Sequence, residues 1–145
     1  MKKYRIGYTA GVFDMFHVGH LNVLKKAKAQ CEYLIVGVTT DELCFLRKGK
    51  MPIVKFEERC AILEAIRYVD QVIGQVDMDK SSVVKEYGCD AVFVGSDWRG
   101  TAAWIEYEKE FTILGCDVVY LQYTEGISST ILREKMSGVS KQNDN

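Results

Sequence analysis

This chain of 145 residues contains two histidines, one proline and no Cys-x-x-Cys pair. Its five cysteines, Cys31, Cys44, Cys60, Cys89 and Cys116, are dispersed and odd in number. That is the pattern of free, semi-buried thiols in a reducing cytoplasm, where the protein is expected to work. No cysteine or carboxylate set stands at ligand spacing around the histidines, which counts against zinc. Charge is nearly balanced, with a formal net charge of −1, so a general nucleic-acid surface lacks the basic excess it needs. No apolar run approaches the roughly 20 residues of a membrane-spanning helix. Met1, Lys2 and Lys3 lead into a mixed segment with Arg5 rather than a continuous apolar stretch, which argues against a signal peptide. Two nucleotide signatures are also missing, the Gly-x-x-x-x-Gly-Lys-Ser/Thr phosphate loop and the Gly-x-Gly-x-x-Gly dinucleotide turn.

What is present is alternation. Short apolar runs at 4–9, 33–38, 69–73, 91–94 and 118–121 read as strands. The run at 33–38 is nearly continuous, as in strands of a parallel sheet buried on both faces. Helical spacing of apolar residues marks 21–29, 56–66, 82–87 and 102–114, and a last helix follows 125–130 and ends near Met136. Residues 39–52, polar and basic and closed by Pro52, read as a loop. This order implies an α/β fold: a Rossmann-like, doubly wound parallel sheet of about five strands with helices on both faces. The length fits one domain over 1–136. The polar tail at 137–145 is expected to be disordered.

Ligands of such sheets bind beyond the carboxyl ends of the strands, and four polar segments lie there: 11–20, 47–50, 95–100 and 125–130. In the first, Gly11 lets a ligand approach the backbone. His17 and His20, three apart at the start of a helix, are aimed at phosphates where free N–H groups collect. Structural histidines and zinc ligands are the competing readings. Lys48, with Arg47 and Lys50 beside it, is either a phosphate ligand or part of a solvated loop. Asp97 and Trp98 either meet a ribose and base or form a turn. Ser128, Ser129 and Thr130 either cap a helix or bind a triphosphate; one arrangement can do both.

The motifs then match a family. Gly11-Val12-Phe13-Asp14 followed by His17-Val18-Gly19-His20 resembles the His-x-Gly-His signature of the nucleotidyltransferase superfamily. Arg67-Tyr68-Val69-Asp70-Gln71-Val72-Ile73, Gly95-Ser96-Asp97-Trp98 and Thr124-Glu125-Gly126-Ile127-Ser128-Ser129-Thr130 resemble its cytidylyltransferase family, nearest the bacterial glycerol-3-phosphate cytidylyltransferases. The resemblance runs from about residue 4 to about residue 136. It implies attack by the phosphate of a small phosphorylated alcohol, glycerol 3-phosphate first, on the α-phosphate of CTP, with pyrophosphate leaving. No protein nucleophile is needed. The task is to align two anions and stabilise developing charge.

The resemblance implies His17, His20, Lys48 and Arg67 as catalytic residues, the histidines as hydrogen-bond donors able to carry charge beside phosphates. Gly11, Val12, Phe13, Asp14, Gly19, Asp97, Trp98, Thr124, Gly126, Ile127, Ser128, Ser129 and Thr130 are the implied nucleotide-binding set. It implies Mg2+ entering with the nucleotide, and a homodimer contacting through residues 67–70, where Arg67 would support the site. The other reading of Arg67 is a surface ion pair with Asp70.

One position departs from the pattern. Cytidylyltransferases carry arginine just before Thr-Glu-Gly-Ile-Ser, and here Tyr123 stands there. A phenol does not replace a guanidinium on phosphate. Sugar-phosphate adenylyltransferases of the same superfamily also lack that arginine, and Lys48-Gly49-Lys50-Met51-Pro52 echoes their Lys-Gly-x-x-Pro loop. ATP with a sugar or polyol phosphate is therefore the alternative substrate pair. A non-catalytic nucleotide-binding module is the third reading.

Overall fold

Leu34, Ile35, Val36 and Val38 are buried on alternating faces of a single strand, so that strand must sit inside a sheet covered on both sides. A computed structural model, which describes residues 2–122, shows that sheet. Its strands are β1 (Tyr4–Gly11), β2 (Cys31–Thr39), β3 (Gln71–Gln75), β4 (Ala91–Gly95) and β5 (Asp117–Leu121). They pair in parallel in the order β3-β2-β1-β4-β5. The helices are α1 (Val18–Lys28), α2 (Asp41–Lys48), α3 (Phe56–Glu64), α4 (Lys80–Tyr87) and α5 (Ala102–Ile113). Among the described residues, no helix is long and apolar enough to cross a membrane.

Two cores lie on the two faces. Leu24 and Ala27 of α1 and Leu63 of α3 pack with Leu34, Val36, Val38 and Phe93 on one side. Val84 of α4 and Trp104 and Phe111 of α5 pack with Tyr8, Ile35 and Val92 on the other. The doubly wound fold is thus as expected. The central place of β1, hydrogen-bonded to both β2 and β4, follows from the chain filling one side of it first and then crossing to the other.

The β1–β2 ladder runs from Tyr4 to Gly11, but the β1–β4 ladder holds only Gly7, Tyr8 and Thr9. Beyond Thr9 the two central strands part. This is also the switch in strand order, so the opening falls where ligands of such sheets bind.

The second core contains a buried cation. Lys80 Nζ donates to Gln75 Oε1 at 3.0 Å, and Tyr8 Oη donates to the same oxygen at 3.3 Å. Burial, helped by the positive charge of Arg47, pushes the Lys80 ammonium down to about 8. Tyr8 also needs Gly37 opposite it, because a Cβ there would lie 2.0 Å from Oη.

The loop expected over 39–52 is mostly helix. Thr40 caps α2 by accepting from the Leu43 N–H, Asp41 and Glu42 occupy the first turn, and Gly49 closes it at φ 70°. Leu43 and Cys44 are buried while Phe45 and Leu46 face water. The apolar residues therefore form no single stripe, which hid the helix from the pattern. Gly88 ends α4 at φ 65°, as its position predicts. The tail at 137–145 and the helix after 125–130 lie outside the described residues.

Candidate active site

The turn after β1 is strained and tightly packed. Phe13 and Met15 adopt φ of 54° and 51°, each a cost of about 1–3 kcal/mol for a non-glycine residue. Phe13 folds back over the strand end, and a Cβ on Gly11 would meet its ring at 3.2 Å. The buried Phe13 ring also stands edge-on to His20, with centroids 5.5 Å apart.

The two histidines build the first turn of α1. His17 is the N-cap, and its Nδ1 accepts from the Gly19 N–H at 3.0 Å. The His17 N–H donates to His20 Nδ1 at 3.2 Å. This is a capping box made of imidazoles. The rings stack with centroids 3.9 Å apart and planes 24° apart.

Each Nδ1 is thereby an acceptor, so each neutral ring carries its proton on Nε2. His17 Nε2 is buried and has no partner among the described residues, the condition of a donor aimed at a ligand acceptor. Burial lowers the pKa of both rings, and His20 falls to about 4, mainly through burial and then through His17, with Asp14 opposing. In the protein by itself both rings therefore favour the neutral donor form at pH 7, while the charge expected of them is one carried beside phosphates.

The cleft at the parted strands encloses about 320 Å³. Gly11, Val12, Phe13, Asp14 and His20 form one wall, and Lys48 and Trp98 face it, so these expected residues do come together. Lys50, Cys44 and Thr9 also line it. His17 and Gly19 support the wall from the helix start. Asp97 lies in an exposed single turn, Ser96–Trp98, just after β4. Tyr123, Thr124, Gly126, Ile127, Ser128, Ser129 and Thr130 lie outside the described residues.

Arg67 and Asp14 are placed differently from the rest of the expected set. Arg67 is not at this cleft. It is exposed in the turn before β3, at the amino end of a parallel sheet whose cleft is at the carboxyl end, because α3 carries the chain back down. Its guanidinium hydrogen-bonds Tyr68 Oη at 3.3 Å. Nor does it pair with Asp70, whose carboxylate accepts from Lys28 Nζ at 2.6 Å and the Leu34 N–H at 2.7 Å. Asp14, expected at the nucleotide, lines the cleft but uses its carboxylate elsewhere: the Ile53 and Val54 N–H groups each donate to one of its oxygens at 2.9 Å.

Sequence reasoning missed Arg59. Its side chain is fully buried. Nε donates to the Val54 carbonyl at 2.9 Å, and Nη1 donates to the Val12 and Thr39 carbonyls at 2.7 and 2.8 Å. Nη2 pairs with Asp41 Oδ1 at 2.5 Å. One guanidinium thus ties the turn after β1, the end of β2, the start of α2 and the segment before α3. The available signal was its place on the buried stripe of α3, three residues after Phe56 and four before Leu63.

The cytidylyltransferase-like family model matches residues 8–135. The glycerol-3-phosphate cytidylyltransferase of Bacillus subtilis (strain 168) is 38% identical over 132 residues, covering 90% of this chain and 96% of that protein. The FAD synthase of Thermococcus kodakarensis is 41% identical over 126 residues, covering 84% and 82%. Among solved structures, a lipopolysaccharide core biosynthesis protein from Thermoplasma volcanium superposes with a TM-score of 0.69 at 28% identity, covering 83% of this chain and 97% of that one. A parallel sheet opened at its switch point, a paired-imidazole helix start and a match over most of the chain agree: this protein belongs to the cytidylyltransferase-like family.

Proposed function

We propose that this enzyme transfers the cytidylyl group of CTP to glycerol 3-phosphate, giving CDP-glycerol and pyrophosphate. The observation that carries the reading is the capping box that puts the proton of each imidazole on Nε2, with His20 lining the same cleft as Lys48 and Lys50. An acceptor phosphate oxygen attacks the α-phosphorus in line, the new P–O bond forms, and the bond to the β-phosphate oxygen breaks. The imidazoles donate to phosphoryl oxygens as negative charge builds. They keep their protons throughout, because the attacking phosphate is already an anion and needs no base. The amides at the start of α1 add fixed dipole, and the lysines offset repulsion between the two substrates.

Mg2+ belongs to this reading as part of the nucleotide. The described residues contain no group of three histidine, cysteine or carboxylate side chains able to hold an ion, and both Asp14 oxygens already accept from amides. That donor set fits an ion bound by phosphate oxygens. The proposal includes a homodimer through residues 67–70, supported by the exposed Arg67 and Tyr68 pair away from the cleft, and work in the cytoplasm, supported by five free thiols.

Coverage of almost the whole length of the B. subtilis enzyme favours CTP and glycerol 3-phosphate. Tyr123 and the likeness to an FAD synthase favour ATP. A pyrophosphate-release assay over CTP and ATP, crossed with phosphorylated polyols, amino-alcohols and sugars, separates them. Turnover with CTP and glycerol 3-phosphate above all other pairs is expected. No turnover with CTP and any acceptor overturns the reading.

A further inference from the structure

Residues 51–55 form an irregular strap whose Met51 and Pro52 line the cleft. Apolar burial holds it only in part: Met51 and Ile53 are 55% and 53% exposed, and Pro52 and Val54 are half-buried. Gly49, which closes α2 at φ 70° with its N–H donating to the Phe45 carbonyl, leads into it. Lys48 and Lys50, either side of that glycine, line the cleft. The rest of the hold on the strap is polar. The Val54 peptide is gripped at both ends, its N–H by Asp14 Oδ1 and its carbonyl by Arg59 Nε, and Asp14 Oδ2 takes the Ile53 N–H. Arg59 also takes the carbonyl of Val12, next to the strained Phe13.

Resting on the phosphate-transfer reading, we infer that Asp14 is a positioning residue that sets the reach of Lys48 and Lys50 by clamping the strap to the turn after β1. The carboxylate acts through the lysines. With it removed, the strap keeps only its Arg59 end, and the segment 48–52 loses its fixed distance from the histidine wall. Burial of Asp14 and its two charge-assisted bonds to amides make it the strongest polar tie on that segment.

The test is a mutant cycle on the full chain with Asp14→Asn, the pair Lys48→Ala and Lys50→Ala together, and the combined variant, read as kcat/KM for CTP. Asp14→Asn is expected to lose up to about 100-fold, the scale of a misplacement of about 1 Å. The combined variant is expected to match the lysine pair variant within about threefold, because the clamp has neither lysine left to position. Losses that multiply overturn the inference, since Asp14 would then act independently of the two lysines. Trypsin cleavage after Lys48 and Lys50, followed by mass spectrometry below the melting temperature, reads the strap without turnover. Asp14→Asn is expected to speed it at least roughly tenfold, and unchanged cleavage also overturns the clamp. Should the wild type turn over no nucleotide, the functional reading falls while the cleavage rates still decide the clamp.

Discussion

Replacing Arg59 with methionine tests how far one buried guanidinium organises the carboxyl end of the sheet. The change keeps much of the side-chain volume and removes four hydrogen bonds, one of them to a carboxylate. Loss of one partner from a buried ion pair costs about 3–5 kcal/mol. Asp41 is 21% exposed and regains water, which pulls its share down. The stranded Thr39 carbonyl does not, and an unsatisfied buried acceptor adds about 1–3 kcal/mol. The expected loss is therefore about 3–5 kcal/mol, or roughly 10–16 °C in Tm for a chain of this size. Arg59→Lys keeps the charge but lacks the fork that reaches several acceptors at once, so it should fall between wild type and methionine. Circular dichroism melts and urea titrations at pH 7 give both numbers. A methionine variant within about 1 kcal/mol of wild type would refute the argument, and a lysine variant no better than methionine would show that charge is not what the site needs.

Other outcomes follow from the same geometry. Long-range 1H–15N spectra should show both histidines as Nε2–H tautomers at pH 8, and His20 still so at pH 5.5. Because the folded pKa of His20, about 4, lies below the unfolded value, its contribution to stability is complete above about pH 6.5 and is lost as pH falls toward 4. An imidazolium spectrum for His20 at pH 6 would contradict this. His17→Asn keeps a strong N-cap and removes the Nε2 donor, so kcat should drop about 100- to 1000-fold with Tm held within about 2 °C; retained turnover would mean that His17 only caps the helix. Lys80→Met removes a buried ammonium that, among the described residues, Gln75 alone engages through a hydrogen bond. It should leave stability equal or raise it by about 1–3 kcal/mol at pH 7, and a loss above about 1 kcal/mol would show that the charge is needed where it is.

The sheet was readable because each strand is a short apolar run bounded by helix-like spacing, and central strands must be apolar on both faces. The two histidines were readable because they begin a helix directly after such a run. Other features leave a weaker trace. Phe45 and Leu46 face water on α2, so its pattern resembles a loop. The partners of Asp14 lie 39 and 40 residues away along the chain, and no local spacing announces them. Arg59 could be suspected from a charge on a buried stripe, yet three of its four acceptors are backbone carbonyls, which any sequence supplies. Arg67 was assigned by motif as support from a subunit contact, and its place before the third strand, at the amino end of the sheet, agrees with the sequence order.

The early end of the β1–β4 ladder separates two properties that usually change together. The mouth of the cleft is set by where two backbones stop pairing, not by which side chains border it. Substitutions at Lys48, Lys50 or Trp98 can retune what the cleft holds while its aperture stays the same. A relative that extends the pairing by one residue pair would narrow the mouth with every lining side chain intact. Changes of substrate and changes of access can therefore be acquired separately on this scaffold.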